Sequence, residues 1–519
     1  MRLIEKYTSF VLAGALALVL AACEDDESTG PEPLRAPTGV SATAADGAVT
    51  VTWQSVAGAE SYTVERDVAG QAGGFVVLRS GVTGTSYTDE DVDRGVTYYY
   101  RVSAVRGGEG ATSDPVEVTV GNPAADLVGT ITADRTLYAD TVYTLKGIVT
   151  VDSAVTLTIE PGTLILGSTQ VTPSALIIRR GGKIIADGRP DAPIVFTSDK
   201  PVGQRARGDW GGIVINGLST CNFPADQCVG EGSSGPYGGN DPEDSSGILR
   251  YVRIEFAGYE VSFGNELNAL TLNGVGSGTI IEYVQAHYGS DDGIEFFGGT
   301  VNVKYAIVTG ASDDSFDYST GWSGKGQFWI VLQDPDDADT GFEVDNNEED
   351  YDAVPLTAPT IYNMTVVGKA PGTGTAGEST TGLLLRRGTA GKIYNAIVLG
   401  FETALDIDNA ETYARCASGE LVVANSIFHG YGAFLDGDAD DETACTGLPA
   451  WTLRQVDPGL ANPFDWNAPD FRPVAGSAAL TGAAAIPTGD DFFEPVDFIG
   501  AVAPSGTPWY LGWTTFARN

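Results

Sequence analysis

The sequence predicts an all-β protein, with an N-terminal β-sandwich followed by a parallel β-solenoid. Three observations carry that expectation. The 519 residues include 67 glycines, as a turn-dense β protein requires. Short alternating runs such as Val49-Thr-Val-Thr-Trp53 and Tyr98-Tyr-Tyr100-Arg-Val102 occupy the first quarter of the chain. Further on, Ser290-Asp291-Asp292-Gly293-Ile294-Glu295 returns twenty-two residues later as Ser312-Asp313-Asp314-Ser315-Phe316-Asp317, with strand-like text between. Equivalent positions of a solenoid stack at about 4.8 Å, so Asp292 should lie over Asp314 and Glu295 over Asp317. Like charges that close need a cation, raised pKa values or splay into solvent.

Composition narrows the function classes. With 29 basic and 69 acidic residues the formal charge is −40, which argues against nucleic acid as a partner, since phosphates need Lys and Arg. Hydrophobic residues make up 42% and charged residues 19%, a balance that folds rather than stays disordered. Gly-rich turns such as Gly232-Ser-Ser-Gly lack a P-loop lysine and a following helix, so nucleotide binding is excluded.

The N-terminus reads as a targeting segment. Arg2 and Lys6 precede an apolar run from Phe10 to Leu20, too short for a membrane span and flanked like a signal peptide. It ends at Leu20-Ala21-Ala22-Cys23, which resembles a bacterial lipobox. The resemblance implies that residues 1–22 are removed and that Cys23 is lipidated. Residue 24 is Glu rather than Asp, so the best-known inner-membrane retention signal is absent. The expected location is therefore the outer membrane, lipid-anchored and facing the periplasm or the cell surface. Residues 23–35 are an acidic, Pro-containing tether. The other cysteines, Cys221, Cys228, Cys416 and Cys445, are even in number. Of the three connectivities, local pairing of Cys221 with Cys228 and Cys416 with Cys445 is favoured.

Residues 36–121 carry Ala36-Pro37-Thr-Gly-Val40, Trp53, Gly58-Ala-Glu-Ser-Tyr62, Thr85-Ser-Tyr87-Thr-Asp89 and Gly95-Val-Thr-Tyr98-Tyr-Tyr100-Arg-Val102. Together these resemble a fibronectin type III domain, which implies a spacer role; Trp53 and the tyrosines read as core and sheet-face residues rather than a ligand platform. Residues 122–127 read as a junction. From 128 to 519 two strand types alternate. One is a run closing on Gly, as in Thr360-Ile-Tyr-Asn to Gly368; the other is shorter, as in Ala404-Leu-Asp-Ile. Asn363, Asn395 and Asn425 hold equivalent places and should exchange amide hydrogen bonds along the stack. No helix is expected after the signal peptide. Thr158-Ile-Glu-Pro-Gly-Thr, Gly208-Asp-Trp-Gly-Gly-Ile-Val-Ile-Asn-Gly and Phe492-Phe-Glu-Pro-Val-Asp-Phe-Ile-Gly-Ala resemble secreted surface proteins and lipoproteins of Bacteroidota-type bacteria. That resemblance implies a right-handed parallel β-helix of the pectate-lyase-like kind.

Three chemistries compete for the acidic repeat. Asp291, Asp292, Glu295, Asp313, Asp314 and Asp317, with Glu343 and Asp345 from the next acidic stretch, offer the hard oxygen ligands that Ca2+ prefers. Asp436-Gly-Asp438-Ala-Asp440 begins like an EF-hand loop, but Asp441 and Gly447 occupy the positions of its required Gly and Glu. The second chemistry is a polysaccharide lyase or glycoside hydrolase of the pectinase-like kind. A hydrolase needs paired carboxylates; a lyase adds a basic proton abstractor, for which Arg386, Arg387, Lys304 and Lys325 are candidates. The Gly-His-Gly and Arg-x-Lys partners of polygalacturonase-like enzymes are missing, with His429-Gly-Tyr-Gly the nearest match. The third is a non-catalytic glycan-binding or protein-binding surface, with Phe296, Phe297, Tyr318, Trp322 and Trp329 among the acids. His287 and His429 are the only histidines, too few for a zinc site. The balance favours a surface lipoprotein whose acidic face binds calcium, glycan or both.

Overall fold

The computed structural model describes residues 33–519 apart from 46–47, 70–73, 94, 225–226, 263 and 438–441. The signal segment, Cys23 and most of the tether lie outside the described residues, as do Asp438, Asp440 and Asp441. Two compact units meet in sequence between Gly121 and Asn122.

The first unit is an antiparallel β-sandwich. Ser41–Ala45, Ala48–Thr52 and Ser86–Asp89 form one sheet. Val76–Val82, Ser61–Val68, Thr97–Arg106, Glu109–Thr112 and Val116–Thr119 form the other. Alternation turns Val49, Val51, Tyr62, Val64, Tyr98, Tyr100 and Val102 inward around Trp53. Trp53 meets Tyr62 edge-on at 5.3 Å, and the buried Tyr100 hydroxyl donates to Asp89 at 2.8 Å. Trp53, Tyr62, Tyr98 and Tyr100 are core, whereas Tyr87 packs partly buried against it and the partly exposed Tyr99 lies on the other face of its strand.

The second unit is a parallel β-helix. An 11-stranded sheet and a 17-stranded sheet run its length, each strand pairing in parallel with its counterpart one coil away. The coil begins earlier than the sequence suggested. Ala124–Leu127, read as junction, pairs with Val142–Leu145, because its apolar alternation completes the first coil. The aromatic residues among the acids fill the interior. Phe296 stacks on Trp322 at 4.3 Å, Phe316 on Trp329 at 4.6 Å and on Phe342 at 4.9 Å. Tyr318 is buried with them, and only Phe297 is partly exposed.

One column of the 17-stranded sheet bends the successive coils from Tyr251 to Asn425. Tyr251, Tyr283, Tyr305, Phe328, Asn363, Asn395 and Asn425 all have φ between 48° and 59°, and the strand pairing skips each of them where two long strands meet. The left-handed turn points their side chains out of the coil. The aromatic members form a ladder, Tyr251–Tyr283 and Tyr283–Tyr305 at 4.4 Å and Tyr305–Phe328 at 5.0 Å. The asparagines tolerate this backbone well, but they do not bond to one another. Asn363 Nδ2 donates to the carbonyls of Phe498 and Gly500 at 2.8 and 3.1 Å. Asn395 bonds to both backbone groups of Ala484, and Asn425 Nδ2 donates to Gly482 O at 2.8 Å. The expected amide ladder is thus replaced by bonds to the C-terminal segment, which lies where the turned side chains point. That segment covers Ile307, Ile330, Val367, Ile397 and Ile427 with Trp466, Phe471, Ile499, Tyr510 and Trp513.

A helix is also present, contrary to expectation. Ala410–Ser418 (α1) ends at Gly419 with φ 76°, a left-handed C-cap of the usual kind. Its Ala, Glu and Arg content favours helix, but only nine residues carry the signal. Cys416 in α1 is bridged to Cys445 in the one-turn helix Thr443–Thr446 (α2), and Cys221 is bridged to Cys228.

Candidate functional site

The acidic repeat falls on the 11-stranded sheet with the register the repeat demands. Ile294–Phe297, Phe316–Ser319 and Phe342–Val344 are consecutive strands. Glu295 pairs with Asp317, and Asp317 with Glu343. At each strand entrance a second column forms, bonded from side chain to backbone. Asp292 N–H donates to Asn268 Oδ1 at 3.2 Å, Asp314 N–H to Asp292 Oδ1 at 3.0 Å, and Thr340 N–H to Asp314 Oδ1 at 3.0 Å. Asp292 and Asp314 thereby stitch one coil to the next while keeping their other oxygens available. Gly258 lets this entrance pack: its φ is 91°, and a Cβ there would fall 1.6 Å from Ser290 O.

These columns line a cavity of about 370 Å³ walled by Glu231, Glu266, Asp291, Asp292, Glu295, Asp313, Asp314, Asp317, Asp339 and Glu343. It shares Glu231, Glu295, Asp317 and Glu343 with an adjoining cavity of about 600 Å³ that adds Phe223, Tyr237, Phe297, Asp345, Glu348, Glu349 and Arg387. Among the described residues lining the two cavities, Arg387 is the only cation. Asp292, Glu295 and Asp314 are 7%, 7% and 6% exposed, although charged groups are seldom buried unless paired.

Proton affinities follow. Burial first, then neighbouring carboxylates, push Asp292, Glu295, Asp314 and Asp317 well above the usual range. Asp291 is pushed up to about 8 by burial and then Asp313. Glu231 and Glu343 are raised to about 7, burial again the largest cause. The groove must therefore hold protons or cations at neutral pH. Three sets bring one oxygen from each member within 4.8 Å: Asp291, Asp292 and Asp313; Asp292, Glu295 and Asp317; Asp314, Asp317 and Glu343. The donor set is wholly hard oxygen and fits Ca2+ rather than a soft metal.

Seven of the eight expected metal ligands thus meet in these sets. Asp345 does not join them. Arg386 Nε donates to its Oδ1 at 2.8 Å and Arg387 Nη1 to its Oδ2 at 2.6 Å, so its charge is already answered. Arg386 also holds Glu343. The other basic candidates lie elsewhere: Lys304 pairs with Glu494 and Lys325 with Asp490, against the C-terminal segment. Asp334 is likewise outside the groove, bonded by Tyr288 OH at 2.5 Å and paired with Arg207 and Arg518. His287 is buried between Thr309 and Ala517 O, while His429 is exposed. Glu231 and Glu266 were not singled out from the sequence. They come from hairpins inserted between coil strands, Val229–Gly230 with Gly235–Pro236 and Tyr259–Ser262 with Asn265–Leu267. An insertion's acids follow no repeat, so no periodic signal marks them.

Fold and site define a parallel β-helix with a carboxylate-lined groove on one sheet. The chain belongs to the family of pectate-lyase-like β-helix domains, whose model matches residues 129–450. Over 91 residues, 17% of this chain, it is 36% identical to an amylopullulanase of Thermoanaerobacter thermohydrosulfuricus, and the match spans 6% of that protein. An Fn3-like protein from Clostridium thermocellum is 34% identical over 17% of this chain and 92% of its own, with a TM-score of 0.15. Pectate lyase PelI from Erwinia chrysanthemi, solved with tetragalacturonic acid, is 10% identical over 82% of this chain and all of its own, also with a TM-score of 0.15.

Proposed function

We propose that this chain is a cell-envelope surface lipoprotein, anchored through Cys23 in the outer membrane. Its β-helix binds Ca2+ in the acidic groove and, through the calcium, an extracellular glycan, without cleaving it. The sandwich unit serves as spacer. The observation that carries the reading is the Glu295–Asp317–Glu343 column beside Asp292 and Asp314. It is a row of buried and half-buried carboxylates whose mutual repulsion a divalent cation relieves. Calcium takes six to eight oxygens, so positions left open by the side chains accept sugar hydroxyl or carboxylate oxygens, with Phe223 and Phe297 at the wall. The basic groups near the acids, Arg386 and Arg387, are engaged by Glu343 and Asp345, which favours binding over proton abstraction.

The test is thermal unfolding of the full chain in EDTA and in calcium, then glycan binding in each. A ligand specific for the folded state stabilises by about 2.7 kcal/mol at a hundredfold excess over Kd. A calcium-dependent rise in Tm that Asp314→Asn removes, with calcium-dependent glycan retention, supports the reading. No calcium shift overturns it, and glycan cleavage abolished by Asp292→Asn replaces it with an enzyme.

A further inference from the structure

From residue 481 to 519 the C-terminal segment contains no helix or strand, so its main-chain groups need partners from elsewhere. Most of the main chain beneath is already engaged in strand pairing, and side chains of the 17-stranded sheet serve instead. Gln285 Nε2 donates to Thr515 O at 2.7 Å, and Thr515 N–H donates to Gln285 Oε1 at 2.9 Å. Gln327 holds both main-chain groups of Glu494 in the same way, at 2.8 and 2.7 Å. Asn395 holds those of Ala484, at 3.2 and 2.7 Å. All three amides are fully buried. They fall on every second coil, about 9.6 Å apart along the stack at the spacing of paired strands. Between the last two, Ala501 N–H donates to Thr365 Oγ1 at 2.9 Å.

We propose that the outer face of the 17-stranded sheet is a peptide-capture face, that residues 457–519 are its resident ligand, and that the same segment from a second copy of this chain can take their place. An amide that pairs with both main-chain groups of one residue recognises an extended polypeptide whatever its side chains. Register comes from charge. Lys304 pairs with Glu494 and Lys325 with Asp490, and Lys304 Nζ lies 5.0 Å from the centre of the Phe492 ring. Affinity comes from apolar contact, with Trp466, Phe471 and Trp513 packed in one cluster with the outward isoleucines of the sheet. None of these contacts depends on the link that joins the segment to the last coil, where Gln455, Val456 and Asp457 are exposed. A terminal segment held in this way is exchangeable between copies, as in swapped dimers. The face is on the other sheet from the acidic groove, so the proposal holds whether or not the groove binds calcium.

The test uses the full chain with a protease recognition sequence inserted between Val456 and Asp457 and cut after folding. The cut segment should stay bound through gel filtration. A labelled copy of residues 457–519 in excess should then replace it, with the circular dichroism of the solenoid unchanged. A segment that leaves on cutting, a solenoid that unfolds with it, or a segment that fails to exchange even just below the unfolding temperature overturns the proposal. Gln327→Leu and, as a second variant, Gln285→Leu should each speed the exchange about tenfold, since each removes a pair of hydrogen bonds. An unchanged exchange rate in both variants overturns capture through the main chain.

Discussion

The Asp314 amide donates to the Asp292 carboxylate of the preceding coil at 3.0 Å, so one side chain both closes the backbone of the solenoid and faces the acidic groove. The two roles separate by substitution. Asp292→Asn keeps the acceptor oxygen and removes the charge. In EDTA it should raise stability, and in calcium it should weaken binding. Asp292→Ala strands the buried Asp314 amide at a cost of about 1–3 kcal/mol. Urea unfolding of both variants, with and without calcium, checks this; equal destabilisation in EDTA would refute the bond's structural role.

The raised carboxyls predict a pH dependence with a definite sign. An acid whose folded pKa lies above its unfolded value of about 4 binds more protons when folded, so its stabilising contribution is present at low pH. That contribution is lost as pH rises through the folded value. With Glu231 and Glu343 at about 7 and Asp291 at about 8, these groups should make Tm in EDTA fall between pH 4 and pH 8. Saturating calcium should flatten the curve. A Tm in EDTA that rises or stays level across that window would mean the groove acids are ordinarily ionised.

Arg386 answers two of the acids at the edge of the groove. Its guanidinium bonds Glu343 and Asp345, and those bonds with the nearby negative charge raise its pKa against the opposing effect of burial, which is the largest single influence. Arg386→Gln should cost about 1–3 kcal/mol in EDTA, since it leaves partly buried carboxylates unanswered, yet tighten calcium binding by freeing Glu343. Calorimetric titration decides; weaker calcium binding would show that the arginine organises the ligands instead.

The outward aromatic ladder makes a backbone prediction. Tyr283 sits between Tyr251 and Tyr305, 4.4 Å from each ring, at φ 54°. Truncation to Ala loses both stacks and keeps the left-handed strain, whereas Gly loses the stacks and relieves it. Tyr283→Gly should therefore be less destabilising than Tyr283→Ala by about 1 kcal/mol. Identical unfolding midpoints would remove the strain from the account.

Sequence periodicity carried the coil and the core of the site. The twenty-two-residue return of Asp-Asp-x-x-Glu/Asp sets Glu295 over Asp317 because parallel pairing maps equal positions onto one another. The same rule marks Phe296 and Phe316 as interior by placing them one residue away. Where the chain leaves the period, the sequence falls silent. Glu231 and Glu266 enter the groove from inserted hairpins, and Asp345 leaves it because Arg386 and Arg387, some forty residues later, reach it first. The bonds of Asn363, Asn395 and Asn425 depend on a C-terminal segment remote in sequence. The sequence by itself determined what repeats, since a repeat is a local property of the chain. Only the tertiary structure decided which charges are answered, because burial and counter-charge are set by segments that share no period.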